Sequence, residues 1–385
     1  MTEAGEIELH PIVSSAPIQV LHVGPGGGQR GGIASVLGEL DRQQEQFRKD
    51  HIQFSIFETH GFQSVGGLLR FALFDIPRFA AKMAGSVSIV HFHVSVRGSF
   101  YRKYLLYQLA RFAGKKTIFH LHAGNFEAFR MHAGRRTRQW VTRFVCGADA
   151  VIAVSTATAE ELLSYRGDRG GVNVIGNTAA EAEAAAGIAP AESGSSDEPY
   201  VAFAARFTPA KGIGDLLDAL ALMRTYGSRV RLKLAGGGDV ERWREAAMAC
   251  GVADQVSFVG WLTGDAKLAF YRNARVFCMP SHYESFGIAT LEAMFSGIPV
   301  VGTRLGGFLD LVQDGVTGYL VERGDCEALA KRLHLLMDDP ALAEKMGKAG
   351  LDAAKQRYSC RAVIDQYVKC YRGLTKKNGD NEKGR

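Results

Sequence analysis

The chain has 385 residues, of which 46% are apolar and 22% charged, with a formal net charge of +6. This composition is ordinary for a globular protein and excludes disordered and collagen-like chains. No stretch reaches the ~18 apolar residues that a membrane-spanning helix requires. The acidic N-terminal residues do not resemble a signal peptide, and the six cysteines form no regular framework. We therefore expect a cytoplasmic protein.

Short apolar runs alternate with amphipathic stretches through the first half of the chain. The first predicted strand is followed by a glycine-rich loop at 24–32, and helices are predicted at 65–76 and 100–112. The alternation predicts a parallel sheet with helices on both faces, and we assign residues 1–178 to one Rossmann-like domain. The strands are predicted at 19–23, 52–57, 88–94, 117–121, 150–154 and 172–175.

A second alternating series follows a segment of different composition. Residues 179–198 are rich in Ala, Glu, Ser and Pro, and we interpret them as a linker. We assign residues 199–375 to a second Rossmann-like domain and 376–385 to a disordered tail. Two such domains bind ligands in the cleft between the carboxyl ends of their strands. The strands of the second domain are predicted at 200–204, 230–235, 256–259, 276–279 and 299–302.

Residues 61–145 carry fourteen Lys and Arg but only two acidic residues, and aromatic residues are interleaved with them. A local positive field attracts anions. We interpret this segment as a face that rests on an anionic membrane, with an ordinary solvated surface as the alternative. A nucleic-acid partner is not expected, because no helix-turn-helix, zinc or RNA-binding signature is present. The cations expected to contact the membrane include Arg102, Lys103, Arg135 and Arg136.

The loop after the first strand contains Gly26-x-Gly28-x-x-Gly31, which matches the dinucleotide-binding fingerprint. Glu58, the candidate ribose ligand, lies beyond the usual ~20-residue offset of that fingerprint. We keep an NAD-dependent enzyme as an alternative. The backbone N–H groups of Gly31 and Gly32, at the start of a predicted helix, are expected to hold a phosphate in either case.

Arg206 and Lys211 follow the first strand of the second domain and lie on one loop. Departure of a nucleoside diphosphate builds negative charge, so fixed cations stabilise the transition state more than the ground state. These two residues therefore predict a diphosphate-binding loop, with ordinary surface charges as the alternative.

The most specific segment runs from Ser281 to Met294. Glu284 is predicted in a loop, where it can meet sugar hydroxyls, and Gly287 precedes a helix. Glu292 is about one turn into that helix, where its carboxylate can accept both hydroxyls of a ribose. The first N–H groups of the helix are expected to be unsatisfied and to hold a phosphate oxygen. They belong to Ile288, Ala289 and Thr290.

The pattern Glu284-x7-Glu292, preceded by Arg206 and Lys211, resembles the retaining nucleotide-sugar glycosyltransferases of family 4. The resemblance covers nearly the whole chain. It implies the GT-B fold, an α/β architecture of two Rossmann-like doubly wound domains that face each other across a cleft. It also implies transfer of a sugar from a nucleotide diphosphate sugar to an acceptor hydroxyl with retention of configuration.

The resemblance implies roles for individual residues. Arg206 and Lys211 would hold the diphosphate, and Glu292 the ribose. Glu284 would hold the donor sugar, together with the amides of Phe286 and Gly287. The turn from Gly236 to Gly238 resembles the glycine turn beside the nucleotide.

A histidine close to the donor sugar and acceptor is common in the family, and we align it with His122 rather than His120. We expect His122 and Glu284 to be the catalytic residues, with Glu284 orienting the sugar rather than forming a covalent adduct. No Asp-x-Asp motif is present, so no metal and no cofactor are expected. Asp310 stands where the family commonly has a glutamate.

The expected acceptor is a glycan that is lipid-linked or membrane-bound, as in bacterial polysaccharide or glycoconjugate synthesis. The protein would then lie on the inner face of the cytoplasmic membrane. Two alternatives stay open. One is a nucleotide-sugar epimerase or sugar phosphorylase of the same architecture, and the other is a non-catalytic subunit that binds a nucleotide or an anionic polymer.

Overall fold

The structure is a computed structural model that describes residues 16–26, 29, 31–60, 64–167, 169–179 and 198–376. Two parallel β-sheets form within these residues. The strands of the first sheet are β1 (Ile18–Gly24), β2 (Ile52–Glu58), β3 (Ile89–Val94), β4 (Lys116–Leu121), β5 (Ala150–Ala153) and β6 (Asn173–Val174). The strands of the second are β7 (Tyr200–Phe207), β8 (Arg231–Gly238), β9 (Val256–Gly260), β10 (Ala274–Met279), β11 (Val300–Thr303) and β12 (Gly318–Val321).

The strand orders are β2-β1-β3-β4-β5-β6 and β12-β11-β10-β7-β8-β9. The helices that cover the first sheet and its edges are α1 (Gly32–Arg42), α2 (Gln44–Lys49), α3 (Val65–Arg70), α4 (Ile76–Met83), α5 (Gly98–Phe112), α6 (Phe126–Met131), α7 (Arg135–Gly147) and α8 (Thr156–Arg166). Those that follow are α9 (Ile213–Thr225), α10 (Val240–Ala249), α11 (Gly264–Arg272), α12 (Ile288–Phe295), α13 (Phe308–Leu311), α14 (Cys326–Asp338), α15 (Pro340–Tyr358) and α16 (Cys360–Lys376).

The predicted α/β class with two doubly wound sheets is confirmed, and each predicted strand has a counterpart in one of the two sheets. The edge strand β12 was missed, because its four residues carry no clear alternation. The helix predicted at 65–76 is instead interrupted by a π-helical turn at Phe71–Asp75 that joins α3 to α4. Such turns depend on local packing that periodicity does not reveal.

The last helix, α16, leaves the second domain and packs against the first sheet. Its apolar residues Val363, Ile364 and Val368 lie in one core cluster with Val20 and Ile89 of the first sheet. The prediction that the second domain extends to residue 375 is therefore wrong for α16. The proposed linker lies outside the described residues apart from its two ends, as does nearly all of the proposed tail.

The first sheet contains a chain of five histidines under α16, four of them buried and the fifth half-buried. His22 of β1, His91 and His93 of β3, and His120 of β4 are fully buried, and His122 follows β4. The centroids of neighbouring imidazole rings lie 4.0–5.2 Å apart. The parallel register brings these side chains together, because His22 lies beside His91, and His93 beside His120.

Hydrogen bonds connect the rings into one path that passes through Tyr371 of α16. His122 Nε2 lies 2.9 Å from His93 Nδ1, and His93 Nε2 lies 2.8 Å from His22 Nδ1. The hydroxyl of Tyr371 lies 3.3 Å from His22 Nε2 and 2.8 Å from His91 Nδ1. His91 Nε2 completes the path, 3.1 Å from Nδ1 of His120.

We predict that Tyr371→Phe lowers the free energy of unfolding by about 2–5 kcal/mol, because it leaves two buried imidazole nitrogens without their partner. Tyr367→Phe is the matched control on the same helix. The Tyr367 hydroxyl is buried and has no hydrogen-bond partner among the described residues, so its removal is expected to be neutral or stabilising. Urea unfolding measures both. Equal effects would show that the histidine path contributes nothing to stability.

Stability should also fall steeply in mild acid. Burial lowers the pKa of His22 and His122 to about 3, and that of His91, His93 and His120 well below its ordinary value. The unfolded chain takes up protons below about pH 6.5 that the folded chain does not, so the stability present above that pH is lost below it.

Each of the five histidines can contribute a slope of up to about 1.4 kcal/mol per pH unit below pH 6.5. Glu161 opposes this effect, because burial raises its pKa to about 7. We therefore expect a net loss of several kcal/mol between pH 6.5 and pH 5, measured by urea unfolding at each pH. A constant free energy of unfolding across this range would contradict the prediction.

Candidate functional site

A cleft of about 700 Å³ separates the carboxyl ends of the two sheets, and both domains line it. Twelve of the fourteen predicted site residues lie on its walls. Gly238 and Thr290 do not line it, and Thr290 is fully buried. The lining residues among those predicted are Gly31, Gly32, His122, Arg206, Lys211, Gly236, Glu284, Phe286, Gly287, Ile288, Ala289 and Glu292.

Lys211 and Glu284 form an ion pair on the second-domain wall. Lys211 Nζ lies 2.6 Å from Glu284 Oε2, and both side chains are partly buried. Lys211 ends a short 3₁₀ turn after β7, whereas Glu284 lies in the loop after β10. The pair thus joins the two loops that the sequence predicted to hold the diphosphate and the sugar.

Glu292 accepts two hydrogen bonds from α11. Lys267 Nζ lies 2.6 Å from its Oε1, and the hydroxyl of Tyr271 lies 2.9 Å from its Oε2. Lys267 and Tyr271 line the cleft but were not predicted. They are four residues apart and therefore share one helical face, but nothing in the sequence indicates that this face meets Glu292.

The N-terminus of α12 opens onto the cleft at Ile288 and Ala289. The preceding loop is held by Gly307, whose N–H donates to the carbonyl oxygen of Glu284 over 3.2 Å. A Cβ at Gly307 would lie 2.3 Å from Cα of Phe286, so no larger residue fits there. The Gly306-Gly307 pair therefore fixes the loop that carries Glu284.

The N-terminus of α1 forms part of the opposite wall through Gly31 and Gly32. Gly28 of the dinucleotide fingerprint lies outside the described residues, and Glu58 does not line the cleft. The two predicted phosphate-binding helix ends, those of α1 and α12, therefore open onto one cavity. Their N–H groups and helix dipoles favour an anion there.

Two polar contacts connect the two domains. Ser285 Oγ donates to the carbonyl oxygen of His122 over 3.0 Å, and both residues line the cleft. Asp310 Oδ2 accepts from the N–H of Thr156 over 2.6 Å and so caps the first turn of α8. Asp310, which stands where the family commonly has a glutamate, therefore connects the second domain to the first.

His122 lines the cleft, whereas His120 is fully buried behind it. Burial lowers the pKa of His122 to about 3, with a further contribution from Lys103. His122 is therefore neutral at physiological pH. The sequence analysis chose His122 rather than His120 as the histidine of the cleft, and His122 is the one that lines it.

The cations predicted to face a membrane divide into two groups. Arg135 and Arg136 are exposed on α7, as predicted. Lys103 and Arg102 of α5 are instead only 1% and 7% exposed and line the cleft. Their assignment to a membrane face is therefore wrong, because α5 turns this side towards the second domain.

Two groups of histidines have the spacing of metal ligands. In each group the candidate ligand atoms lie within 4.8 Å of one another. The first group is His22, His91 and His93, and the second is His93, His120 and His122. In both groups these histidines are linked to one another or to Tyr371 by hydrogen bonds. Hydrogen bonding thus satisfies eight of the ten ring nitrogens of the path among the described residues. The other two are Nδ1 of His122, at the cleft, and the buried Nε2 of His120.

No described helix combines the length and the low polarity needed to cross a membrane. An exposed apolar patch is nevertheless present on α3 and the π-helical turn. Its members are Val65, Leu68, Leu69, Leu73 and Phe74.

Comparison with known sequences assigns both halves of the chain. Residues 33–179 match the family Glycosyltransferase Family 4, and residues 188–352 match Glycosyl transferases group 1. The chain is similar to a phosphatidyl-myo-inositol mannosyltransferase of Mycobacterium leprae, with 38% identity over 42% of this chain and 43% of that protein. It is also similar to a D-inositol 3-phosphate glycosyltransferase of Streptomyces avermitilis, with 33% identity over 54% and 48% of the two chains. The alignments thus span about half the length of these relatives.

Solved structures share the fold across nearly the whole chain. Anabaena HepE in complex with UDP and glucose aligns with a TM-score of 0.71 at 20% identity, covering 92% of this chain and all of that chain. Sucrose-phosphate synthase of Thermosynechococcus elongatus aligns with a TM-score of 0.70 at 23% identity, covering 93% of this chain and all of the other. The two sequence matches together cover most of the chain and show that it belongs to the glycosyltransferases, with a family 4 first domain and a group 1 second domain. The solved structures show that it has the GT-B fold.

Proposed function

We propose that this protein transfers a sugar, with retention of configuration, from a nucleotide diphosphate sugar to a hydroxyl of a lipid-linked or membrane-bound glycan. The observation that carries the proposal is the pairing of Lys211 with Glu284, and of Lys267 with Glu292, on one wall of the cleft. The Anabaena neighbour was solved with UDP and glucose. The proposal assigns a ligand of the same class to this cleft.

The paired charges suit a ligand that carries both hydroxyls and phosphates. A donor diphosphate can take over Lys211, which releases the carboxylate of Glu284 for the sugar hydroxyls. Arg206 and the N–H groups at the start of α12 add positive potential beside the same phosphates. Glu292, already oriented by Lys267 and Tyr271, offers its oxygens to the ribose.

In the proposed reaction, the bond from the anomeric carbon to the phosphate oxygen breaks and a bond to the acceptor oxygen forms on the same face. The leaving phosphate oxygen takes the proton of the acceptor hydroxyl. The cations stabilise the charge that builds on the nucleoside diphosphate as it departs. Glu284 orients the sugar, and the scheme requires no metal or cofactor.

The test of the donor class is thermal unfolding with UDP, GDP, ADP and NAD. A nucleoside diphosphate at ~100 times its dissociation constant should stabilise the folded state by ~2.7 kcal/mol. We expect one of the three to raise the unfolding midpoint, and we expect Arg206→Ala/Lys211→Ala to abolish this response.

The other outcomes separate the alternatives. Stabilisation by NAD alone would overturn the proposal in favour of a dinucleotide enzyme. Nucleotide binding without turnover of any nucleotide sugar would favour a non-catalytic subunit. Turnover that requires inorganic phosphate instead of a hydroxyl acceptor would indicate a phosphorylase, and isomerisation of the sugar nucleotide without transfer would indicate an epimerase.

Glu284→Gln should separate binding from turnover. Loss of the carboxylate releases Lys211 from its ion pair, so the affinity for the nucleoside diphosphate is expected to stay equal or rise. Transfer or slow hydrolysis of the donor sugar should fall at least tenfold, because the sugar loses its orienting group. Intact-protein mass spectrometry should find no sugar adduct on wild-type Glu284, and an adduct there would contradict the orienting role.

We propose that the protein also associates with a membrane, through α3 and the adjoining π-helical turn. Leu69, Leu73 and Phe74 are 54%, 65% and 62% exposed there. Arg70 and Arg78 are exposed on the same helical segment. An amphipathic surface of this composition suits an anionic lipid headgroup layer.

We expect the protein to sediment with anionic vesicles at low salt and to dissociate as the salt concentration rises. Leu69→Ser/Leu73→Ser/Phe74→Ser should abolish this binding, and Arg135→Gln/Arg136→Gln should weaken it. If a nucleoside diphosphate still raises the unfolding midpoint of each variant, the variant is folded. Equal binding to neutral and anionic vesicles, or none at all, would contradict the membrane assignment.

A further inference from the structure

Two cations are buried side by side on the first-domain wall of the cleft. Lys103 and Arg102 both line the cavity, and Lys103 is 1% exposed. No carboxylate of the described residues lies within ion-pair distance of Lys103. Burial, with a contribution from Arg102, lowers the pKa of Lys103 to about 7. Asp75 is the acidic residue that faces Arg102.

The polar contacts of Lys103 lead to the start of α5. Its Nζ donates to Ser99 Oγ over 2.7 Å, and the same oxygen accepts from the N–H of Ser95 over 3.4 Å. With its oxygen engaged by two donors, Ser99 has its own hydroxyl proton to donate. The guanidinium of Arg102 lies beside Gly98, because a Cβ there would be 3.2 Å from Nη1.

Burial makes a charged ammonium costly at this place, because removal of an ammonium group from water costs several kcal/mol unless a counter-charge is supplied, and the neighbouring guanidinium adds repulsion. The low pKa of Lys103 follows from this cost, and an anion beside it would stabilise the charged form. Lys103 and Ser99 supply polar hydrogens at one place. Ser95 and His122 line the same wall. These donors suit an anion.

We propose that Lys103, Arg102 and Ser99 form a binding site for a phosphate group of the acceptor, so that the substrate is a phosphate-bearing glycan or alcohol. The inference rests on the proposed function, because it takes the opposite wall as the donor site. Arg206, Lys211 and the start of α12 already supply the charge for the donor diphosphate. The second pair of cations, across the cleft, therefore serves another phosphate.

The proposal also explains why basic residues line both walls of the cleft. A phosphate held at Lys103 would lie on the same wall as His122. The acceptor hydroxyl would then lie between the phosphate and the donor sugar. Lys103 and Arg102 are thus specificity-determining residues that recognise the acceptor without touching the reacting atoms.

The test isolates this site from the donor site. In the Arg206→Ala/Lys211→Ala background, glycerol 3-phosphate is titrated by calorimetry, and we expect saturable binding at one site. Adding Lys103→Met or Arg102→Gln should weaken that binding about tenfold to a hundredfold, because each removes a charged hydrogen-bond donor. Arg135→Gln, an exposed cation of the same segment, is the matched control and should change nothing.

The nucleoside diphosphate response of Lys103→Met in the otherwise wild-type chain separates the possible failures. A preserved response shows that the variant folds and that the donor site works. If glycerol 3-phosphate then binds with unchanged affinity, the acceptor-phosphate site is overturned while the proposed function stands. If the wild-type chain responds to none of the nucleoside diphosphates, the proposed function fails first.

The source of the phosphate is distinguished by dihexanoyl phosphatidic acid, a soluble lipid with the same headgroup. Tighter binding than glycerol 3-phosphate, with the same dependence on Lys103, assigns a lipid phosphate. Equal or weaker binding with that dependence assigns a phosphate of a soluble acceptor. Binding of either probe that does not depend on Lys103 contradicts the site.

Discussion

The packing of α16 against the first sheet is the constraint on which the cleft depends. The second domain starts after residue 198, yet the chain returns through α15 and α16 to end on the first domain. The two domains are therefore connected at both ends of the second one. Tyr371 places a hydroxyl in the polar interior of the first sheet, where it bridges two histidines. The position of the two walls of the cleft relative to each other thus depends on buried polar contacts as well as on apolar packing.

Sequence alone was sufficient for the parts of the molecule that depend on local pattern. The alternation of apolar and amphipathic segments predicts both sheets, and the motif from Ser281 to Met294 predicts which loop and helix end face the cleft. It was not sufficient where the outcome depends on distant partners. Lys267 and Tyr271 belong to the site because their side chains reach Glu292 of α12 from α11. The crossing of α16 between the domains likewise has no signal in its own residues.

The basic segment shows the same limit more sharply. The charges of the sequence indicate one positive region at 61–145. In the fold, some of its basic residues are exposed to solvent and others line the cleft. Arg135 is exposed on α7, whereas Lys103 is buried under the opposite domain. A helix at the carboxyl edge of a parallel sheet presents its first turns to the ligand cleft. The fold, and not the total charge, therefore decides which basic residues line the cleft and which lie on an outer surface.

The histidine path determines the state in which His122 reaches the cleft. All five rings are neutral because burial lowers each pKa. The path ends at Nε2 of His120, which is buried and has no partner among the described residues. A buried acceptor without a partner costs less than a buried N–H without one, so this nitrogen carries no proton. His120 then donates through Nδ1 to His91.

From there the direction of every hydrogen bond is fixed, because each neutral ring carries one proton. His91 donates to Tyr371, Tyr371 to His22, and His22 to His93. His93 in turn donates to Nε2 of His122, so the proton of His122 is on Nδ1. In this state His122 is a hydrogen-bond donor and has no ring nitrogen free to accept the proton of the acceptor hydroxyl. In the proposed reaction that proton therefore goes to another group, which supports its assignment to the departing phosphate.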